Sequence, residues 1–342
     1  MAAMNTLALP AAPPSLPSPQ EPYATGLLDV GDGHQLYFEQ CGQANGLPIV
    51  FLHGGPGSGC SARHRQMFDL SRDRVLLFDQ RGCGRSLPRG GVQHNTSAHL
   101  VADIERLRQH LGIERWLVVG GSWGGGLSLA YAAAYPAACL GQVLRAVFLG
   151  RASDIDWFFQ HAGQLLPDAW RALMQQAPAG VNGDPLGWLA AGVHSSKPLV
   201  AQAAAQAWAA WEQAVTERRW AEAAPLQLAG DAAQTQVDKY RVQSHYLANR
   251  CFWGDVGLLD RAAALTQMPT AILHGRLDWV CRPSAAWELH HRLPGSRLQW
   301  LDDSGHSPFE SAMACAQTEA MSQFSAHGHF AGWGRDYAKA EG

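Results

Sequence analysis

The stretch RWLVVGGSWGGGLSLAYAAAYP, residues 115–136, limits the possible folds more than any other part of the chain. The apolar run before Gly120 reads as a strand buried on both faces. The run after Gly125 reads as a helix that stops at Pro136. Ser122 therefore sits on the bend between strand and helix, inside Gly120-Gly-Ser-Trp-Gly124, a G-x-S-x-G pattern. So sharp a bend puts the serine in a strained backbone conformation, and side chains on its neighbours would strike the strand and the helix. It also lifts the hydroxyl above the sheet, at a helix N-terminus whose dipole favours negative charge. The bland alternative is a Gly-rich connection with an incidental serine, since the chain holds 36 glycines. The strand before the motif and the helix after it argue against that alternative.

Strand and helix signals alternate around this stretch. HQLYFEQCG alternates as an early strand, with the turn GDG before it. LPIVFL, RVLLFD and LRAVFL are short runs that suit buried strands. TSAHLVADIERLRQHLG has helical spacing and a terminal glycine. The alternation predicts a mostly parallel sheet covered by helices, an α/β fold. After Arg151 the texture changes to Ala, Gln and Trp at helical periods, clearest in PLVAQAAAQAWAAWEQAVTERRW. Strand patterns resume at PTAILHG and SRLQWLDD. The expected organisation is a disordered Pro/Ala-rich lead-in over residues 1–22, a first part of the core over 23–151, a helical cap over 152–262, and the rest of the core over 263–342.

A serine hydroxyl is a weak nucleophile without a base. On a strand–serine–helix bend of this kind, the acid and then the histidine follow later in the chain. Asp278 lies just beyond the strand in ILHGRLDWVCRP, and His306 just beyond the strand in LQWLDDSGHSPFE. Loops after strand C-termini are where open α/β sheets hold their sites. His306 would take the serine proton, and Asp278 would fix its tautomer and stabilise its cation. The glycines of FLHGGPGSG (51–59) can aim a backbone N–H at a developing oxyanion. Gly55 and Trp123, the residue after the serine, are the expected donors. Cys281 is close to this group in sequence.

Other patterns carry less. No G-K-[ST] follows the glycines at 54–59, which excludes a P-loop. GCGRS (82–86) lacks the third glycine and the acidic partner of a dinucleotide fingerprint. His290-His291 and His327/His329 have no carboxylate or Cys set at ligand spacing, so no metal is expected. Trp157, Trp170, Trp188, Trp208, Trp211 and Trp220 read as packing residues between helices. A formal net charge of −3 and no basic stripe argue against nucleic acid. No apolar run is long enough to span a bilayer. Seven scattered cysteines, odd in number, fit reduced thiols in the cytoplasm. A homo-oligomer is compatible with the sequence.

Taken together, HGGPG, LLFDQRGCGRS, HLVADIERLR, GGSWGG and HGRLD…GH resemble the proline iminopeptidases (prolyl aminopeptidases), serine peptidases of the α/β-hydrolase fold. The resemblance runs from about Gly31 to His306 and beyond. It implies release of N-terminal proline from small peptides with a free N-terminus, and no cofactor. It also implies a helical cap whose acidic residues hold the substrate amine. Glu212, in WAAWEQ, matches one of them. The second family segment reads R-I-E-N-H-Y, and here it is RVQSHY, with Gln243 at the glutamate position. Glutamine accepts a hydrogen bond but brings no charge, so amine binding is expected to weaken by roughly 1–3 kcal/mol. Asp238 or Asp231 would have to compensate. By motif position Phe148 and Phe158 match the apolar proline pocket, and Leu247 stands where an aromatic is usual. Gln243 keeps open an esterase, amidase or lactonase with the same triad. A dehalogenase or epoxide hydrolase would carry Asp at the bend, and a non-catalytic binding protein would not need Ser, Asp and His together.

Overall fold

The structure is a computed structural model that describes residues 20–181, 183–219, 228–254 and 257–337. Nearly all of the expected lead-in, and Trp220, lie outside the described residues. One eight-stranded sheet forms the centre. A hairpin of β1 (Ala24–Gly31) and β2 (His34–Gly42) begins it, and β2 runs antiparallel to β4 (Asp73–Phe78). From β4 onward the neighbours are parallel: β3 (Leu47–Leu52), β5 (Trp116–Gly121), β6 (Cys139–Arg145), β7 (Thr270–Gly275) and β8 (Arg297–Leu301). The strand order is β1-β2-β4-β3-β5-β6-β7-β8.

Burial follows position in the sheet. Every residue of β5 and of β7 is buried, whereas β1 at the edge alternates half-buried with exposed. Strand periodicity splits the core into two layers. Val50, Leu52, Leu76, Phe78 and Val118 face one layer, and Ile49, Phe51, Val75, Leu77, Leu117 and Val119 face the other. The first layer holds α2 (Ser97–His110) and α3 (Trp123–Ala134), through Leu100, Ile104, Leu127 and Tyr131. The second holds α11 (Ser311–His327), through Met313, Ala320 and Phe324. The short α1 (Ala62–Arg65) precedes β4, and α10 (Pro283–Arg292) links β7 to β8.

Between β6 and β7 the chain is helical: α4 (Ala152–Asp156), α5 (Pro167–Met174), α6 (Pro185–Val193), α7 (Pro198–Glu217), α8 (Gly230–Ala248) and α9 (Leu258–Ala262). In α7 the residues Ala201, Ala204, Ala205, Trp208, Trp211 and Val215 recur at helical spacing and are buried. Trp208 stacks on Tyr240 of α8, and the Trp211 indole N–H donates to the Phe158 carbonyl at 3.1 Å. No helix among the described residues is long and apolar enough to cross a membrane.

The strand expected at LRAVFL lies earlier, at Cys139–Arg145. Ala146 takes a left-handed φ of 48°, which ends the strand and turns Val147–Leu149 into a loop. Apolar content alone does not reveal that turn, because Ala146 is no glycine.

Packing at the bend depends on the absence of side chains. A Cβ at Gly124 would collide with the Leu52 carbonyl of β3, whereas one at Gly125 would meet Val147 only at an ordinary 3.5 Å. Gly124→Ala should therefore lose roughly 1–3 kcal/mol through overpacking. Gly125→Ala should stay neutral or gain up to about 1 kcal/mol from helix propensity. Urea unfolding of both variants measures the contrast, and equal midpoints would refute it.

Candidate active site

Ser122 links β5 to α3 with φ 57° and ψ −124°, a region that side-chain-bearing residues rarely occupy. The surrounding structure holds it there. Its N–H donates to the Arg145 carbonyl of β6 at 2.9 Å, and its own carbonyl accepts from Gly125 at 3.0 Å and Phe148 at 3.2 Å. A Cβ at Gly120 would strike Ser128 and the Gly124 carbonyl, and one at Gly121 would strike the Arg145 guanidinium.

The acid and the histidine come from the two loops that follow β7 and β8. The His306 ring Nδ1 lies 2.8 Å from Asp278 Oδ2. Asp278 Oδ1 accepts from the Val280 and Cys281 amides, both at 2.9 Å. Burial pushes the Asp278 carboxyl up, but His306, His274 and the Cys281 amide outweigh it and leave its pKa below the usual value. The carboxylate is thus held ionised against His306 Nδ1. Ser122 and His306 line one cavity. The hydrogen bonds among the described residues include none between them. Ser122 Oγ instead lies 3.9 Å from Cys281 Sγ. Burial, with Asp278 close by, drives the Cys281 thiol well above its ordinary pKa, so it stays protonated.

The glycine loop after β3 lies beside the serine. Gly54 and Gly55 both line the cavity, and a Cβ at Gly54 would lie 3.5 Å from Ser122 Cβ. A buried polar scaffold holds this loop. The Gln80 N–H donates to His53 Nε2 at 3.0 Å, and the Gln80 side-chain amide donates to the His53 carbonyl at 3.0 Å. Burial keeps His53 neutral by lowering its pKa. The Trp123 indole N–H donates to Gln80 Oε1 at 2.9 Å, which ties the residue after Ser122 to the same scaffold. Asp79 accepts from the Cys60 amide at 2.6 Å and from the Arg85 amide and Nε at 2.9 and 2.8 Å.

The cavity measures about 380 Å³. Phe148, Ile155, Phe158, Phe159, Leu247 and Val280 supply apolar wall, and Glu212, Gln243, Asp154 and Arg145 supply polar lining. Asp278 stands behind His306, outside the lining. The Trp123 side chain is also outside, fully buried and stacked on Trp253.

A family model described as alpha/beta hydrolase fold matches residues 48–312. A probable proline iminopeptidase of Leptolyngbya boryana is 42% identical, covering 89% of this chain and 95% of its own length. The proline iminopeptidase of Xanthomonas citri is 42% identical, over 89% of this chain and 97% of its own. The chain belongs to the proline iminopeptidase family of α/β hydrolases. The fold also matches a solved proline iminopeptidase of Mycobacterium smegmatis, with TM-score 0.55 and 22% identity over 89% of this chain and 95% of that one. An esterase from Rhodococcus sp. superposes with TM-score 0.59 and 22% identity over 89% and 98%.

Glu212 and Gln243 meet in the cavity wall. Glu212 Oε1 lies 2.5 Å from the Lys239 ammonium, and Glu212 Oε2 accepts from the Gln243 amide at 3.3 Å. Gln243 Oε1 is buried without a hydrogen-bond partner among the described residues. Asp231 and Asp238 lie outside the cavity lining. Asp231 pairs with Arg89 at the surface, and Asp238 accepts from Gln234. Lys239 stands outside the cavity lining, and its pairing with Glu212 was not legible because an isolated lysine on a helix normally faces water. Asp154, unexpected in the lining, is held by Arg151 and Arg282, each at 3.0 Å.

The described tryptophans of the helical segment pack rather than line the cavity; Trp157, for example, donates to the Trp279 carbonyl at 2.8 Å. His290 is occupied by Ser296 at Nδ1 and by the Tyr337 amide at Nε2. Asp32, His94 and His99 bring ligand atoms within 4.8 Å of one another, but the Arg81 guanidinium already lies 3.2 Å from Asp32.

Two predictions follow from this geometry. An organomercurial on Cys281 would fill the space before Ser122 and block turnover, and Cys281→Ser should keep activity and resist the reagent. Mass spectrometry showing complete modification of Cys281 with full activity would refute this. The depressed Asp278 pKa stabilises the fold at neutral pH, and this contribution is lost as pH falls through the folded-state value. The stability gap between wild type and Asp278→Asn in urea should therefore shrink towards acid pH; a gap that widens would overturn it.

Proposed function

We propose that Ser122, His306 and Asp278 carry the prolyl aminopeptidase reaction of this hydrolase, releasing N-terminal proline from small peptides. One observation carries the assignment: the 2.8 Å contact between His306 and Asp278 beside a strained serine in one cavity. Ser122 Oγ attacks the prolyl carbonyl as His306 takes its proton. The N–H groups of Gly55, in the loop after β3, and of Trp123, at the N-terminus of α3, stabilise the oxyanion. His306 then protonates the leaving amine, and the peptide departs with a new N-terminus. Water, deprotonated by His306, attacks the prolyl-enzyme ester and frees proline. The missing Ser122–His306 hydrogen bond is compatible with this sequence, since such bonds tighten only when substrate fills the site. Phe148, Phe158 and Leu247 offer an apolar wall to the pyrrolidine ring. Glu212 and Gln243 form its polar end. Seven free cysteines support a reducing, cytoplasmic setting.

A second reading, an esterase or amidase that needs no amine anchor, is favoured by one observation: the Glu212 carboxylate is already paired with Lys239. Both readings use the same serine. Ser122→Ala should cut cleavage of a proline arylamide by about four to six orders of magnitude, with the fold unchanged. Loss of arylamide cleavage when the amine is blocked would support the aminopeptidase. Serine-dependent cleavage of a p-nitrophenyl ester without arylamide cleavage would replace it with the second reading.

A further inference from the structure

Among the described residues, both acidic groups that line the cavity are paired with cations of the protein. Glu212 carries the Lys239 ammonium, and Asp154 carries two guanidinium groups. Arg145 adds a buried positive charge that also lines the cavity and donates to the His306 carbonyl. Among the described residues, therefore, no uncompensated carboxylate in the lining faces a substrate ammonium. A buried ammonium without a counter-charge is strongly disfavoured. At the same place Gln243 Oε1 is a buried acceptor with an open lone pair, which costs free energy until a donor arrives. The Lys239 head is well held: it reaches Glu212 at 2.5 Å and Tyr240 Oη at 3.4 Å, and it lies over the Tyr240 ring.

We propose that Lys239 is a specificity-determining residue. By holding Glu212 in an ion pair, it makes the cavity select five-membered-ring acyl groups whose N–H is uncharged and donates to Gln243 Oε1. The proposal rests on the reading that Ser122 acts on prolyl-type carbonyls. The substrate class is then prolyl amides in their neutral-amine form and ring analogues of low basicity. A second cation would have to share Glu212 with Lys239 against like-charge repulsion. A neutral N–H completes the hydrogen bonds without that conflict.

The experiment compares two near-isosteric arylamides at neutral pH. One carries proline, whose nitrogen is mostly protonated. The other carries thiazolidine-4-carboxylic acid, whose ring sulfur lowers basicity and leaves the nitrogen mostly neutral. Wild type should prefer the thiazolidine substrate in kcat/KM. Lys239→Met should shift the preference towards proline by about tenfold or more, chiefly through a lower KM for the prolyl substrate. Lys239→Arg, which keeps the pair with Glu212, should retain the wild-type preference. An unchanged preference in Lys239→Met, or an equal loss on both substrates, would overturn the proposal while leaving the aminopeptidase reading intact. Cleavage of neither arylamide by wild type would sink both.

Discussion

The site depends on the backbone of Ser122, held in a region that side-chain-bearing residues rarely occupy. Ser122 is held at φ 57° by backbone hydrogen bonds to β6, to α3 and to the loop after β6. A Cβ on Gly120 or Gly124 would press strand, helix and neighbouring strand apart, and one on Gly121 would displace the Arg145 guanidinium. The strain of order 1–3 kcal/mol is thus spread over the best-packed part of the sheet. In the proposed mechanism a backbone fixed in advance would spare the serine part of the ordering cost when substrate arrives.

The other reactive parts are set around that serine by polar groups buried in the core. Asp79, Gln80 and His53 form a hydrogen-bonded frame that grips the glycine loop on one side and the Trp123 indole on the other. Arg81 extends it, with a bidentate pair to Asp103 on α2 at 2.6 and 2.8 Å. Buried charges of this kind contribute little net stability, but leaving one unpaired is costly. Their arrangement therefore specifies one loop geometry rather than deepening the well.

Much of this was legible in the sequence, for identifiable reasons. The elbow was readable because glycine is required by collision with backbone atoms, a local demand that leaves a local mark. Asp278 was readable because it follows the fully buried β7, and His306 because it follows β8, whose Leu298 and Leu301 are buried. The edge strand β1 left a weak signal, since its alternation is only half-buried. The strand ending at Arg145 was misplaced because Ala146 turns the chain without a turn residue. Lys239, Asp154 and Arg145 escaped notice for a different reason: their importance lies in pairing across elements distant in sequence. The Asp79 frame sat inside a motif that marked the family without revealing what its residues hold.

The order of elements also governs when this chemistry becomes available. The serine bend is complete once β3, β5 and β6 have paired, early in the chain. Asp278 and His306 hang from β7 and β8, which follow the whole helical segment in the chain. Such distant pairings form late in folding. On the proposed reading, Ser122 would have neither of its partners in place until these last strands have joined the sheet.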